Sequence, residues 1–228
     1  MQGFDFDVIA RTWPVLMHGL WFTIQVTVLS VLGGVVLGTL LAMARLSSIK
    51  PLAWVAAAYV NGLRSVPLLL VIFWFYFLVP YLLGWLTGAA QPVPIGALYS
   101  CLITFILFEA CFFCEIVRAG IQSISRGQVW AGYAIGLNYW QTMGAVILPQ
   151  ALRNVLPILL TQTIIVFQDV SLVSVLSIKD FFGTAQYISA RDGRPLEMYI
   201  TVAVVYFLLC FSLSLLVKQL QKKIAIIR

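Results

Sequence analysis

Residues Gly19–Ala44 read GLWFTIQVTVLSVLGGVVLGTLLAMA, without one charged side chain. A helix of roughly 25 residues spans a hydrocarbon core about 30 Å thick at 1.5 Å per residue. Backbone in lipid must satisfy its own polar groups, so such a run reads as a transmembrane helix. Gly33, Gly34 and Gly38 within it would let a second helix approach closely. Most of the chain shares this character: of 228 residues, 62% are apolar and 10% charged, and the mean hydropathy is +1.01. Soluble domains run at about half apolar and about a quarter charged. Residues 1–228 therefore read as one polytopic membrane domain with no room for a soluble enzyme domain. The opening MQGFDFDVIARTWPVLMHG lacks a basic n-region and a small-residue cleavage site. The first span is accordingly expected to stay as an anchor.

Outward from that span, Arg45 and Lys50 precede Leu52–Leu63, which reads as an interfacial helix bearing Trp54 and Tyr59. Val66–Leu86 is a second span, and Thr87–Pro94 is turn-rich. Val93–Cys114 forms a third span with Glu109, and Val155–Ile178 a fourth with Asp169. Lys179–Pro195 reads as a polar, turn-rich loop, Met198–Val217 as the fifth span and Lys218–Arg228 as a basic tail. The expected fold is an all-α polytopic membrane protein of five transmembrane helices. With the N-terminus outside, the inner segments hold Arg45, Lys50, Arg64, Arg118, Arg126, Arg153, Lys218, Lys222, Lys223 and Arg228. The outer segments hold only Arg11, Lys179, Arg191 and Arg194. That asymmetry predicts N-out/C-in by the positive-inside rule. It also accounts for the net charge of +6 without any nucleic acid.

The exception to the apolar pattern is Arg118–Pro157, RAGIQSISRGQVWAGYAIGLNYWQTMGAVILPQALRNVLP. This loop, about 119–152, falls on the inner side. Ala131, Ala134 and Ile135 recur at helical spacing among its glycines, which predicts a short helix over 131–137. A patterned loop between spans is suited to docking rather than passive linkage. Gly127-Gln128, Ala131, Gly136 and Ile147-Leu148-Pro149 resemble the cytoplasmic loop of ATP-binding-cassette importer permeases. In that family a Glu-Ala-Ala, then a Gly, then an Ile-x-Leu-Pro mark a coupling helix seated in the ATPase subunit. Trp130 stands here where the family has Glu, followed by Ala131 and Gly132. The resemblance assigns Gly127, Gln128, Ala131, Gly132, Ala134, Gly136 and Pro149 to ATPase coupling.

FEACFFCEIVRAGIQSISRGQ, FQDVSLVSVLSIKDFF and RSVPLLL extend the likeness to the polar-amino-acid members of that family. Together with RLSSIKPLAWVAAAYVNGLRSVPL and RDGRPLEM it covers almost the whole chain. It implies a bacterial inner-membrane subunit that provides half of a translocation pathway. The implied partners are a second homologous permease, two ATP-binding subunits and a periplasmic substrate-binding protein. The implied cargo is L-glutamate or L-aspartate, with glutamine, histidine or arginine as alternatives. A secondary amino acid transporter is the rival class, but no inverted repeat is visible.

Ionisable groups at membrane depth are costly and mark sites or pairs. Glu109 reads as one half of a structural pair, and Glu115 with Arg118 as a local ion pair at i and i+3. Arg64, Gln162, Gln168 and Asp169 are the candidates for the substrate pathway. An acidic substrate needs cationic or amide donors facing it, the role expected of Gln162 and Gln168. Asp169 would then belong to a structural or gating pair. Asp180, Arg191, Asp192 and Arg194, with the Phe4–Asp7 arm, are expected to form an outer docking surface. His18 reads as an interfacial residue. Cys101, Cys111, Cys114 and Cys210 all lie in apolar runs and read as packing residues. No Walker A, GxGxxG or HExxH motif occurs. No metal, cofactor or catalytic residue is expected, so ATP hydrolysis falls to a separate chain.

Overall fold

The structure is a computed structural model describing residues 4–224. Arg228, expected in the basic inner tail, lies outside the described residues. The elements are α1 (Phe6–Arg45), α2 (Lys50–Arg64), α3 (Leu68–Thr87), α4 (Ala97–Gln122), α5 (Arg126–Ala134), α6 (Tyr139–Leu176), α7 (Phe181–Asp192) and α8 (Pro195–Ile224). Five of these, α1, α3, α4, α6 and α8, are long and apolar enough to cross a membrane. No strand occurs among the described residues.

The helix α4 is the hub. It packs along α1 and also meets α2, α3 and α6. Close approach to α1 rests on small residues: a Cβ on Gly38 would sit 2.8 Å from both the Ala110 carbonyl oxygen and Phe113 Cβ. Only a residue without a side chain fits there. Phe105, Phe113, Cys111, Cys114 and Val117 on α4 are fully enclosed by these neighbours. All four cysteines are buried. Val26, Val71, Ile72, Val155 and Val166 complete the main core around Phe105.

The span boundaries differ from the sequence expectation, and each difference has a physical cause. The first helix starts at Phe6 because the Asp5 carboxylate accepts from the Asp7 amide at 2.9 Å and caps it. The fourth span starts at Tyr139, not Val155, since polar Gln150, Arg153 and Asn154 lie on the more exposed side of a continuous helix. Two wide π-turns interrupt the spans, Trp74–Leu78 in α3 and Met143–Ile147 in α6. A proline follows closely on each, Pro80 on the first and Pro149 on the second. Widening the turn there relieves the clash and the missing bond that a proline imposes on a regular helix.

Lys179–Pro195 is the largest departure. It forms α7, a twelve-residue helix, where the sequence suggests a turn-rich loop. Phe181, Ala185 and Ile188 are buried against Leu16, Met198 and Val202. Their i, i+4, i+7 spacing is that of one helical face, masked by Gly183 and Thr184 between them and Ser189 just after. The Phe181 amide also donates to Thr23 Oγ1 at 3.0 Å, tying α7 to α1.

Candidate functional site

Beyond the end of α4, α5 is held by its C-terminal cap and one buried glycine rather than by a core. Gly136 takes φ +85°, a left-handed conformation that glycine adopts without penalty. Its amide donates to the Tyr133 carbonyl at 3.0 Å, and the Leu137 amide donates to the Gly132 carbonyl at 3.1 Å. These two bonds close a Schellman C-cap. That cap stops the helix at Ala134, so it covers 126–134 instead of the expected 131–137. Asn138 then starts α6 with a reciprocal capping box: its side chain and that of Gln141 each accept the other's backbone amide at 2.9 Å. Gly132 faces Thr142, and a Cβ there would fall 2.7 Å from Thr142 Cγ2. The Gln150 side-chain amide reaches Gln128 Oε1 at 3.4 Å.

The outward side of this hairpin is apolar. Trp130 is 67% exposed, Ile135 76% and Trp140 68%, large values for side chains that water does not favour. Trp130 and Tyr133 meet edge to face at 6.2 Å, forming one platform. Gly127, Gln128, Ala131, Ala134, Gly136 and Pro149 are exposed around it, whereas Gly132 is buried. The predicted coupling residues are thus accessible, except Gly132, which is the packing point against Thr142.

Where α1, α2 and α4 come together, three arginines converge on one carboxylate. Glu115 pairs with Arg45, with Arg118 at 2.6 Å and more distantly with Arg64 at 3.8 Å. The i, i+3 pair of Glu115 and Arg118 is therefore present, within a larger group. The Arg64 guanidinium also lies over the Phe112 ring, 5.3 Å from its centre, a cation–π arrangement. Sequence reasoning misses Arg45 as a partner of Glu115. The only signal for it is that both fall at inner span ends, and that signal is coarse. Three basic residues assigned to one membrane side do lie at one depth.

Deeper in the bundle, Glu109 is 1% exposed. Its Oε2 accepts from Gln162 Nε2 on α6 at 2.9 Å. Glu109 is a paired group, as its sequence setting suggests, but its partner is an amide rather than a basic or hydroxyl group. Gln162 and Asp169 lie seven residues apart on α6 and share a face. Gln168 does not share it; its side chain is exposed, on the side of α6 toward Cys210 of α8. The four pathway candidates are thus split: Gln162 and Asp169 together, Gln168 toward α8, and Arg64 near Glu115.

At the opposite end of the bundle the charges are mostly consumed internally. Asp180 is fully buried and caps α7 by accepting from the amides of Gly183 at 2.8 Å and Phe182 at 3.1 Å. It cannot serve as an outer docking charge. Burial pushes its carboxyl up to about 6, and the two amides pull it part of the way back. Arg194 bonds Glu197 at 3.1 Å and lies 3.7 Å from Asp5. Arg191 pairs with Asp192 at 2.6 Å on the surface. His18 is exposed on α1.

The family model for the binding-protein-dependent transport system inner membrane component matches residues 34–226. The glutamate/aspartate import permease protein GltK of Escherichia coli is 48% identical over 225 residues, covering 99% of this chain and 100% of that protein. The L-cystine transport system permease protein TcyB of Bacillus subtilis is 37% identical, covering 96% of this chain and 90% of that one. The crystal structure of an amino acid ABC transporter with histidines superposes with a TM-score of 0.83 at 30% identity, over 97% of this chain and 100% of its own. The inward-facing MetNI methionine ABC transporter shares the fold, with a TM-score of 0.75 at 21% identity, over 95% of this chain and 99% of its own. The chain belongs to the binding-protein-dependent transport system inner membrane components, and is a multi-pass inner-membrane permease subunit of an ABC amino acid importer.

Proposed function

We propose that this permease carries acidic amino acids, L-glutamate and L-aspartate. The observation that carries this reading is the 48% identity to GltK along the whole chain. The chain forms half of the pathway, opposite a second homologous permease subunit. Two ATP-binding subunits dock on the inner side, and a periplasmic substrate-binding protein delivers cargo on the outer side. The N-terminus lies outside and the C-terminus inside, in keeping with the excess of basic residues in the inner segments.

In this reading α5 is the coupling element. Closure of the ATPase dimer pushes on the surface of Gly127, Gln128, Ala131, Ala134, Gly136 and Pro149. The buried contact of Gly132 with Thr142 passes that push to the start of α6. Because the start of α6 leads through the π-turn Met143–Ile147 straight into the span, displacement of that start tilts the helix that bears Gln162 and Asp169. The pathway wall is formed by Gln162 and Asp169, with Gln168 toward α8 and Arg64 at the inner end. Glu109, Glu115 and Arg118 hold the bundle in register.

The test is uptake by proteoliposomes containing this chain with its partner permease, ATPase and binding protein. Labelled glutamate and aspartate should accumulate only with ATP on the ATPase side, and excess glutamine, histidine or cystine should not compete. Competition by one of those three instead would reassign the cargo.

A further inference from the structure

The pair formed by Glu109 and Gln162 poses a conflict. A buried acid beside the proposed route should repel an acidic substrate. The hydrogen bond resolves it by fixing the orientation of the amide. Gln162 meets the acid through its NH₂ group, the donating end of the amide, with Nε2 at 2.9 Å from Glu109 Oε2. The carbonyl Oε1 is thereby turned the other way. Among the described residues it meets no hydrogen-bond donor, and it is not one of the buried polar atoms that lack a partner. Gln162 is partly exposed, whereas Glu109 is enclosed. The amide thus stands between the acid and the open side of α6.

We infer that Glu109 is a positioning residue, locking Gln162 so that its carbonyl oxygen accepts from the α-ammonium group of the amino acid in transit. This rests on the reading that Gln162 lines the pathway. It reverses the donor role that the sequence suggests for Gln162, since an N–H of the amide is already engaged. The contact to the substrate is then made by the carbonyl dipole, with Glu109 acting only through the orientation it gives the amide. The α-ammonium is common to every amino acid, whatever its side chain. The contact therefore supports passage without distinguishing glutamate from aspartate, and selection among side chains lies elsewhere.

The experiment uses the complete importer in proteoliposomes with loaded binding protein at saturation. With Glu109→Gln the amide loses its fixed orientation, and turnover of glutamate and aspartate should fall by the same factor, about tenfold for one bond to a charged group. The binding-protein concentration for half-maximal rate should not move. Gln162→Met, similar in size but without an acceptor, should show the same loss. Combining Glu109→Gln with Gln162→Met should lower turnover no further than either single change, since both remove the same contact. Parental turnover in both single variants would overturn the inference, as would a loss confined to one substrate. Labelling of Gln162→Cys by a water-soluble thiol reagent tests the underlying reading separately. Labelling with unchanged Glu109→Gln turnover removes the positioning role alone, whereas absence of labelling removes Gln162 from the pathway.

Discussion

Of the three helices outside the five spans, α5 and α7 are built in opposite ways. Helix α7 is made from its face: Phe181, Ala185 and Ile188 disappear into the bundle, and its cap Asp180 is buried with them. Helix α5 is made from its C-terminal end: a Schellman turn at Gly136 closes it, and Gly132 alone is buried. Its apolar side chains, Trp130 and Tyr133, point outward instead. An element that buries its apolar face belongs to the fold, whereas one that displays it keeps that face available for other contacts, the basis of the coupling role proposed for α5. Mutations in the first should therefore disturb stability, and mutations in the second should disturb coupling.

The largest effect on the stability side is expected from Phe181→Ala. Emptying a fully buried phenylalanine site costs about 3–5 kcal/mol, so the thermal unfolding midpoint of the purified importer should drop by several degrees. The structure of α5 predicts the reverse pattern for Trp130→Ala. Its stability effect should stay within about 0.5 kcal/mol, as for exposed sites generally, while uptake per ATP hydrolysed falls. If Trp130→Ala lowers the midpoint as Phe181→Ala does, the contrast between the two helices is wrong.

Gly132→Val sits between these cases. Its first added atom, the Cβ, would already lie 2.7 Å from Thr142 Cγ2. Overpacking of this kind costs about 1–3 kcal/mol, and here it should shift α5 without unfolding the spans. Membrane insertion measured by protease protection should be unchanged, and ATP-coupled uptake should be lost. Normal uptake would show that the Gly132–Thr142 contact transmits nothing.

The smallest expected effect sharpens the comparison through pH. The Asp180 carboxyl titrates at about 6 in the folded protein, above its unfolded value of about 3.9. The folded state holds this proton more tightly, so the associated stability is greatest below the unfolded value and is lost as pH rises through about 6. Asp180→Asn removes the titration. The unfolding midpoint of the parent should decline from about pH 4 to about pH 7 more than that of the variant. Equal slopes would mean that the Asp180 carboxyl does not titrate in this range.

The sequence makes the spans legible because lipid imposes a simple demand: long apolar runs with polar breaks. It makes α5 legible in outline because glycines at 127, 132 and 136 frame its periodic residues. The helical content of α7 is hidden because a helix half buried by protein can carry polar residues on its other side. Lys179, Arg191 and Asp192 dominate the reading, although the buried spacing is present. Pairings across the bundle are less legible still. Nothing in the order of residues says that Arg45, 70 positions before Glu115, meets it, or that Gln162 turns its NH₂ toward Glu109. Such contacts depend on how helices rotate against one another, which composition does not encode.

The most direct test of α5 as the coupling helix is the coupling ratio of an Ala134→Asp importer. Ala134 is exposed on the surface assigned to ATPase docking and supports no buried packing, so a charge there leaves the fold alone. Assembled in proteoliposomes with the partner chains and saturating binding protein, the variant should insert and copurify as the parent does. Its amino acid uptake per ATP hydrolysed should fall by about tenfold, the cost of one unfavourable charge of about 1.4 kcal/mol at an interface. An unchanged ratio would contradict the assignment of α5 as the coupling helix.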